Sequence, residues 1–195
     1  MNKAIDIIRK EHQALAAMLR SLLLLIAQSR RDGTPVAFDA LRAMLFYVDE
    51  YPEQRHHRKE SELLFPKLRA RAPLQRELLD RLDEEHRLGE GRIRELEHAL
   101  LGFEMMGEAR RAHFEQTTAR YVEFYLEHMR TEEREVLPLA EQVLTVADWQ
   151  ELDDAFLENR DPLTGVPPEQ EYASLFSRIV HLVPAPVGVG PARKP

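Results

Sequence analysis

The sequence predicts an all-α protein: an antiparallel up-down-up-down four-helix bundle with a short fifth helix and an extended C-terminal tail. Three observations predict this fold. Apolar residues recur at steps of three and four over long stretches, as in amphipathic helices. Glycine and proline separate these stretches. No stretch alternates apolar and polar residues convincingly, so no sheet is expected. Four long helices joined by short turns favour a bundle.

The first two predicted helices are separated by a clear break. Apolar residues at helical spacing mark a first helix over residues 3–30, and the turn-forming segment around Gly33 ends it. The second helix is expected to run from about residue 36 to residue 70. A kink is expected at Pro52, because proline removes a backbone hydrogen bond from a helix interior.

The rest of the chain contains two further long helices and one short helix. They are predicted over residues 78–102, 109–144 and 148–161. Pro73 precedes the third helix and Gly107 marks the turn before the fourth. Asp148 is expected to cap the short fifth helix.

Composition argues against several classes of protein. The chain has 27 lysines and arginines against 34 acidic residues, a formal net charge of −7, so a nucleic-acid partner is not expected. It has no cysteine, which excludes disulfides, thiolate zinc sites, iron–sulfur clusters and cysteine nucleophiles. The N-terminal residues lack the apolar core of a signal peptide. The longest apolar run, residues 22–27, is far shorter than the roughly 20 residues of a membrane helix. A cytoplasmic protein with no membrane partner is expected.

Proline usage divides the chain into a predicted bundle, residues 1–161, and a proline-rich tail, residues 162–195. Seven of the 12 prolines lie at or after Pro162. The tail contains one amphipathic segment, with apolar residues at Tyr172, Leu175, Phe176, Ile179, Val180 and Val183. A short helix there would pack on the bundle or on a partner subunit in a homodimer, and the sequence does not separate these alternatives.

An internal repeat concentrates histidine and glutamate in the predicted bundle. Residues 56–66 align without gaps with residues 128–138, at an offset of 72. Upstream, residues 10–12 match residues 84–86 at an offset of 74. Each half therefore carries a lone histidine and then a His-x-x-x-Glu motif. Because residues four apart share one helix face, each motif can point two metal ligands into the same interior volume.

The predicted turns place these motifs at one height in the bundle. In an antiparallel hairpin, two residues face each other when the turn lies midway between them. The midpoints between the motif residues of successive helices are residues 34, 73 and 107, and each lies in a predicted turn. The candidate metal ligands of this layer are His12, His56, Glu60, His86, His128 and Glu132.

A metal explains why such residues would lie in a bundle core. Four histidines and two glutamates buried without one would cost several kcal/mol in desolvation. With no cysteine in the chain, the metal would be held by imidazole and carboxylate groups. His98, His113 and His181 have no partner in the repeat and are not expected to be ligands.

The lone histidines and paired His-x-x-x-Glu motifs resemble those of the hemerythrin-like, or HHE cation-binding, domain family, and most closely its bacterial single-domain members. The resemblance covers residues 3–144. It implies a four-helix bundle that holds two non-heme iron ions, bridged by Glu60, Glu132 and an oxo or hydroxo group. It also implies terminal ligands at His12, His56, His86 and His128.

The chain departs from the family's oxygen carriers in one ligand. Those proteins use five histidines and two carboxylates, and their second histidine on the third helix is replaced here by Glu90. His57 is the alternative fifth histidine, since the hemerythrin-like domain of an iron-sensing ubiquitin-ligase subunit is similar in placing a ligand there. Against this role, His57 is rotated by about 100° from His56 on an ideal helix. Both His57 and Glu90 stay open as candidates.

Three functions follow as hypotheses. The first is a di-iron protein that binds or senses oxygen, nitric oxide or iron, since histidine-dominated ligation leaves a coordination position for a diatomic ligand. The second is an oxidative or nitrosative stress enzyme, or a factor that repairs iron clusters. No conventional catalytic acid, base or nucleophile is evident, so an enzyme is the less favoured interpretation. The third is a helical interaction module with a purely structural metal.

Overall fold

The computed structural model describes residues 2–165, and these form an all-α bundle, as predicted. No strand occurs among them. The α-helices of this part of the chain are α1 (Lys3–Asp32), α2 (Phe38–Val48), α3 (Phe65–Arg71), α4 (Arg76–Met106), α5 (Glu108–Thr131), α6 (Leu137–Val143) and α7 (Val146–Leu157).

The second and fourth helices of the bundle contain π-helical turns where the repeat lies. These turns join α2 to α3 and α5 to α6, so each pair forms one long helical unit. The π segments are Asp49–His57 and Glu60–Leu64 in the second unit and Glu132–Val136 in the fourth. Pro66 and Pro138 follow near the starts of α3 and α6, where each lacks the N–H of a regular helical hydrogen bond. Pro52, the expected kink, lies inside the first π segment.

Short connections join the four helical units, as the sequence predicted. They lie at residues 33–37, 72–75 and 107. Gly33 and Gly107 have φ angles of 62° and 67°, which glycine adopts without steric strain. α4 packs against α5 and α2, and α1 packs against α2 and α5. The units therefore form a ring in which each is antiparallel to the next.

α7 extends the fold beyond the four-helix bundle and packs on α1. The prediction that Asp148 caps this helix is wrong, because Thr145 occupies the capping position. Its hydroxyl accepts a hydrogen bond from the Asp148 N–H, while Asp148 Oδ2 accepts one from the Thr145 N–H at 2.8 Å. Asp148 is the third residue of the helix, and the two residues together form a capping box.

Two expectations concern the ends of the chain and the membrane. The predicted tail helix, with its contact to the bundle or to a partner subunit, falls on residues 166–195, outside the described residues. Within residues 2–165, no helix is both long enough and apolar enough to cross a membrane.

The apolar core is split into two clusters by a polar layer. One cluster contains Leu19, Tyr47 and Phe114 and lies toward the turn at Gly107. The other contains Phe65 and the buried apolar residues of α7. Along each helical unit, the buried histidines and glutamates of the repeat separate the residues of the two clusters. The fold therefore surrounds the candidate ligands with apolar side chains on both sides.

Asp161 is a buried carboxylate in the turn after α7. It accepts hydrogen bonds from the Tyr47 hydroxyl at 2.8 Å and from the Leu163 N–H at 2.9 Å. Burial raises the pKa of Asp161 to about 6, although both hydrogen bonds act to lower it. Because the folded-state pKa exceeds the ordinary value of 3.8, the unfolded chain ionises first as the pH rises. The folded state therefore loses stability between those two pKa values.

We expect Asp161→Asn to stabilise the metal-free protein at pH 7.5 by about 1–3 kcal/mol. The amide oxygen can accept from the Leu163 N–H, and the amide nitrogen can donate to the Tyr47 hydroxyl oxygen, so both contacts remain without the buried charge. The gain should shrink toward pH 4, where the wild-type carboxyl becomes neutral. Urea unfolding in the presence of a chelator at both pH values measures this difference.

Asp154→Asn is the matched control, because Asp154 is an exposed aspartate of α7. It should change stability by less than about 0.5 kcal/mol. A stability gain for Asp161→Asn that is equal at both pH values would contradict the titration of Asp161 as its cause.

Candidate metal centre

All seven residues that the sequence singled out as ligands meet in the polar layer. They form two overlapping groups, and within each group the ligand atoms lie within 4.8 Å of one another. The three-histidine group consists of His57, His86 and His128 with Glu60. The two-histidine group consists of His12 and His56 with Glu60 and Glu132. Every member is buried.

The two glutamates lie between these groups. Glu60 Oε2 is 3.3 Å from His56 Nε2 and 3.5 Å from His86 Nε2. The two oxygens of Glu132 face different groups. Its Oε1 is 3.3 Å from His128 Nε2, and its Oε2 is 3.4 Å from His12 Nε2. Each carboxylate thus reaches imidazoles of both groups, which is the placement required of a ligand that bridges two metal ions.

Within residues 2–165, no group donates a hydrogen bond to the carboxylate oxygens of Glu60 and Glu132. Glu60 and Glu132 are both 0% exposed, and none of their four side-chain oxygens has a hydrogen-bond partner. The Nε2 of His57 is also buried without a partner. Buried carboxylates left without donors or cations are strongly destabilising. These oxygens therefore fit a bound cation better than they fit an apolar core.

Each histidine is oriented by a partner on its Nδ1 atom. The pairs are His12 with Glu133 (3.2 Å), His56 with Glu11 (2.7 Å), His57 with Glu53 (3.2 Å), His86 with Ser61 (2.8 Å) and His128 with Glu85 (2.8 Å). A carboxylate can only accept, so the Nδ1 atoms that face one carry the hydrogen. Such partners fix the ring and its tautomer and leave Nε2 for the metal.

The Nε2 atoms face one another in close pairs. His12 Nε2 lies 3.2 Å from His56 Nε2, and His86 Nε2 lies 2.9 Å from His128 Nε2. The Nδ1 atoms of His12, His56 and His128 face carboxylates and carry hydrogens, so their Nε2 lone pairs point at the neighbouring imidazole unless a proton or a metal ion lies between the two rings. A separation of about 3 Å is also expected between two nitrogen atoms that bind the same metal ion, each at about 2.1 Å.

The Nδ1 partners follow the same internal repeat as the ligands. Glu11 and Glu85 are related by the offset of 74, and each holds a histidine on the following helical unit. Ser61 and Glu133 are related by the offset of 72. Sequence reasoning missed all four, although Glu11 and Glu85 directly precede aligned histidines. All four positions already lie inside the aligned segments, but the spacing does not show which histidine each of them contacts.

The two open candidates for an additional ligand, His57 and Glu90, lie in different surroundings. His57 lies in the three-histidine group, whereas Glu90 is exposed on α4 and belongs to neither group. His98 and His113 are exposed elsewhere on the bundle and belong to neither group.

Electrostatic interactions within the layer are strong. Burial by itself lowers the pKa of His128, but Glu132 and Glu85 outweigh burial and raise it to about 10. Burial favours a neutral Glu132, yet His128 holds the pKa of that carboxyl well below its usual range. His57 differs, because burial and the neighbouring His86 lower its pKa well below 6.5. His57 is therefore neutral, which is the form that binds metal.

Two spaces adjoin the layer. A small cavity of about 10 Å³ borders His12, His56, Leu15 and Asn159, and its size suits one water-sized molecule. The Asn159 amide donates to Glu11 at 3.0 Å, so the turn after α7 also supports the His56 partner. On the other side, a surface groove of about 540 Å³ reaches the three-histidine group.

Comparison with known proteins was consistent with this geometry. Searches of curated proteins and of solved structures gave no significant match. The family model of the hemerythrin HHE cation binding domain matches residues 3–140, which include all seven predicted ligands and end before α7. The chain belongs to the hemerythrin HHE cation-binding domain family.

Proposed function

We propose that the chain is a non-heme di-iron protein that binds or senses a small diatomic molecule, oxygen or nitric oxide, or iron itself. In this proposal the histidine ligands are His12, His56, His57, His86 and His128, and the bridging ligands are Glu60 and Glu132. Bound iron would supply reversible electron transfer and a coordination position for the diatomic ligand.

The observation that carries this proposal is the pair of buried carboxylates without donors. Glu60 and Glu132 each approach imidazole nitrogens of both histidine groups. A single ion would satisfy one group and leave the other without a cation. Two ions, one in each group, would account for both carboxylates.

The chemistry of the donor set supports iron. Imidazole and carboxylate are suitable ligands for iron, and no thiolate is present to favour a softer metal. Histidines outnumber carboxylates by five to two in the proposed set. This composition supports a binding role over the strongly oxidising chemistry of carboxylate-rich sites.

The protein around the layer would control what reaches the metal. The two apolar clusters exclude water from both sides. The cavity beside the two-histidine group has room for no more than one water-sized molecule, which argues against an organic substrate at this half of the layer. The chain's own groups would thus bind the metal, hold each imidazole in one orientation and limit the size of the ligand.

We expect Glu60→Ala and Glu132→Ala each to lower the metal content of the purified protein from two ions to one or none. The metal should stabilise the wild-type protein by about 3–4 kcal/mol at 100 to 1,000 times its Kd, and both variants should lose part or all of this gain, according to the number of ions lost. Elemental analysis and thermal unfolding, with and without a chelator, measure the two effects.

Glu135→Ala is the control, since Glu135 is an exposed glutamate of the same π segment as Glu132. It should keep the wild-type metal content. Two ions in both the Glu60→Ala and the Glu132→Ala proteins would contradict the bridging assignment.

Iron quantification with absorption spectra tests the function itself. Iron-loaded protein should show a near-ultraviolet charge-transfer band that disappears on reduction, and the reduced protein should change its spectrum saturably with oxygen or nitric oxide. We expect Leu15→Phe to fill the cavity beside His12 and His56 and weaken diatomic binding at least about tenfold without loss of iron.

Leu22→Phe is the matched control, because Leu22 is equally buried in α1 but does not line the cavity. It should cost a similar amount of packing energy and leave diatomic affinity unchanged. A spectrum that is inert to both gases would instead favour a structural metal.

A further inference from the structure

His57 breaks the internal repeat that relates the other ligands. At the position that the repeat relates to His57, the second half of the chain has an apolar side chain instead of a histidine. The departures form a set, because the positions around His57 also differ between the two halves. The pairs related by the offsets of 72 and 74 are His57 with Met129, Glu53 with Tyr125, and Gly89 with Leu15.

Glu53 is held in one orientation by three donors. Its Oε2 accepts from His57 Nδ1 at 3.2 Å. Its Oε1 accepts from the Tyr121 hydroxyl at 2.8 Å and from the Tyr125 hydroxyl. Glu53 is only 4% exposed, so water does not replace these donors. The orientation of the His57 ring therefore depends on the two tyrosines as well as on Glu53.

Gly89 makes room for this arrangement. A Cβ atom at position 89 would lie 1.9 Å from the Tyr125 hydroxyl oxygen and 2.9 Å from Glu53 Oε2. Both separations are below any real contact of a Cβ atom. Only a hydrogen fits at this point of α4, and any side chain would push the tyrosine and the carboxylate away from their bonds.

Two nearly parallel rings also contact the His57 imidazole. The His57 ring lies 4.4 Å from that of His86 with an angle of 15° between the planes, and 5.3 Å from that of Tyr125 with an angle of 4°. Tyr125 thus contacts both the ring and its carboxylate partner. The remaining polar atom, Nε2, has no hydrogen-bond partner and belongs to the three-histidine group.

We propose that Glu53, Tyr121, Tyr125 and Gly89 form a positioning unit that makes His57 the third histidine of one metal position and controls retention of that ion alone. This inference rests on the proposed function. The imidazoles of the two-histidine group are oriented by residues outside the unit, Glu11 and Glu133. Loss of the unit would free the His57 ring and leave the second position intact.

Titration of the full-length, metal-free protein with Co²⁺ tests this asymmetry, since the visible bands of Co²⁺ report its coordination. The wild-type protein should bind two equivalents. In Glu53→Ala, one equivalent should keep its affinity while the other weakens by about 10- to 100-fold, with a change in its visible bands. Glu53→Gln retains an acceptor for His57 Nδ1 and should restore most of the affinity.

Tyr125→Phe and Gly89→Ala test the unit without removing the carboxylate. Each should weaken the same equivalent as Glu53→Ala, and circular dichroism should verify the fold. Glu62→Ala is the control, because Glu62 borders the same groove but is exposed and pairs with Arg58. It should leave both equivalents unchanged.

A double-mutant cycle separates positioning from general destabilisation. In a His57→Ala background, Glu53→Ala should have no further effect on Co²⁺ binding, because it acts through His57. Equal weakening of both equivalents, or the same loss with and without His57, would overturn the inference. If the wild-type protein binds two equivalents of Co²⁺ and Glu53→Ala leaves both unchanged, the positioning inference is overturned but the proposed function is not. If the wild-type protein binds no Co²⁺, both the inference and the proposed function are overturned.

Discussion

The structure depends on the burial of two carboxylates to which no residue of the described part of the chain donates a hydrogen bond. Glu60 and Glu132 lie between apolar clusters, where an ionised group without a counter-charge is strongly destabilising. Imidazole nitrogens surround them, and the outer nitrogens of these rings are held by carboxylates and a serine. The polar layer is therefore organised from the centre outward, with each shell of side chains fixing the orientation of the one inside it.

Pseudo-twofold symmetry and its violation have different roles in this layer. The symmetric part comprises four histidines, two glutamates and the Nδ1 partners of those histidines, and it creates two similar halves. The asymmetric part adds His57 to one half only. A small cavity adjoins the half that lacks this extra imidazole. The asymmetry thus gives one half three imidazoles and an adjoining surface groove, and the other half two imidazoles and a water-sized cavity.

Much of the fold followed from local sequence signals. Helical periodicity and the glycines at positions 33 and 107 predicted the helical units, and the midpoints of the turns predicted one layer of ligands. The cap of α7 was misplaced because Thr145 and Asp148 are both good capping residues, and only their mutual hydrogen bonds show which one precedes the helix. The π turns were not predicted, since proline indicates a lost hydrogen bond but not how the backbone compensates.

His57 illustrates why the ligand set was harder to predict than the fold. A rotation of about 100° from His56 argued against a shared site. In the structure the two adjacent residues serve different groups, so this rotation directs each ring toward its own half of the centre. The Nδ1 partners were missed for a related reason. Each contact depends on how far a side chain reaches, mostly across two helical units, and sequence spacing alone does not encode that distance.

Gly89 has a consequence for how this sequence can change over time. A side chain there collides with Tyr125 and Glu53, and both of these groups determine the position of His57. Replacement of the glycine is tolerable only after the tyrosine and the glutamate have changed. Once they have changed, the His57 ring is no longer held in position. These positions are therefore expected to co-vary, so that related sequences keep all of them or none of them.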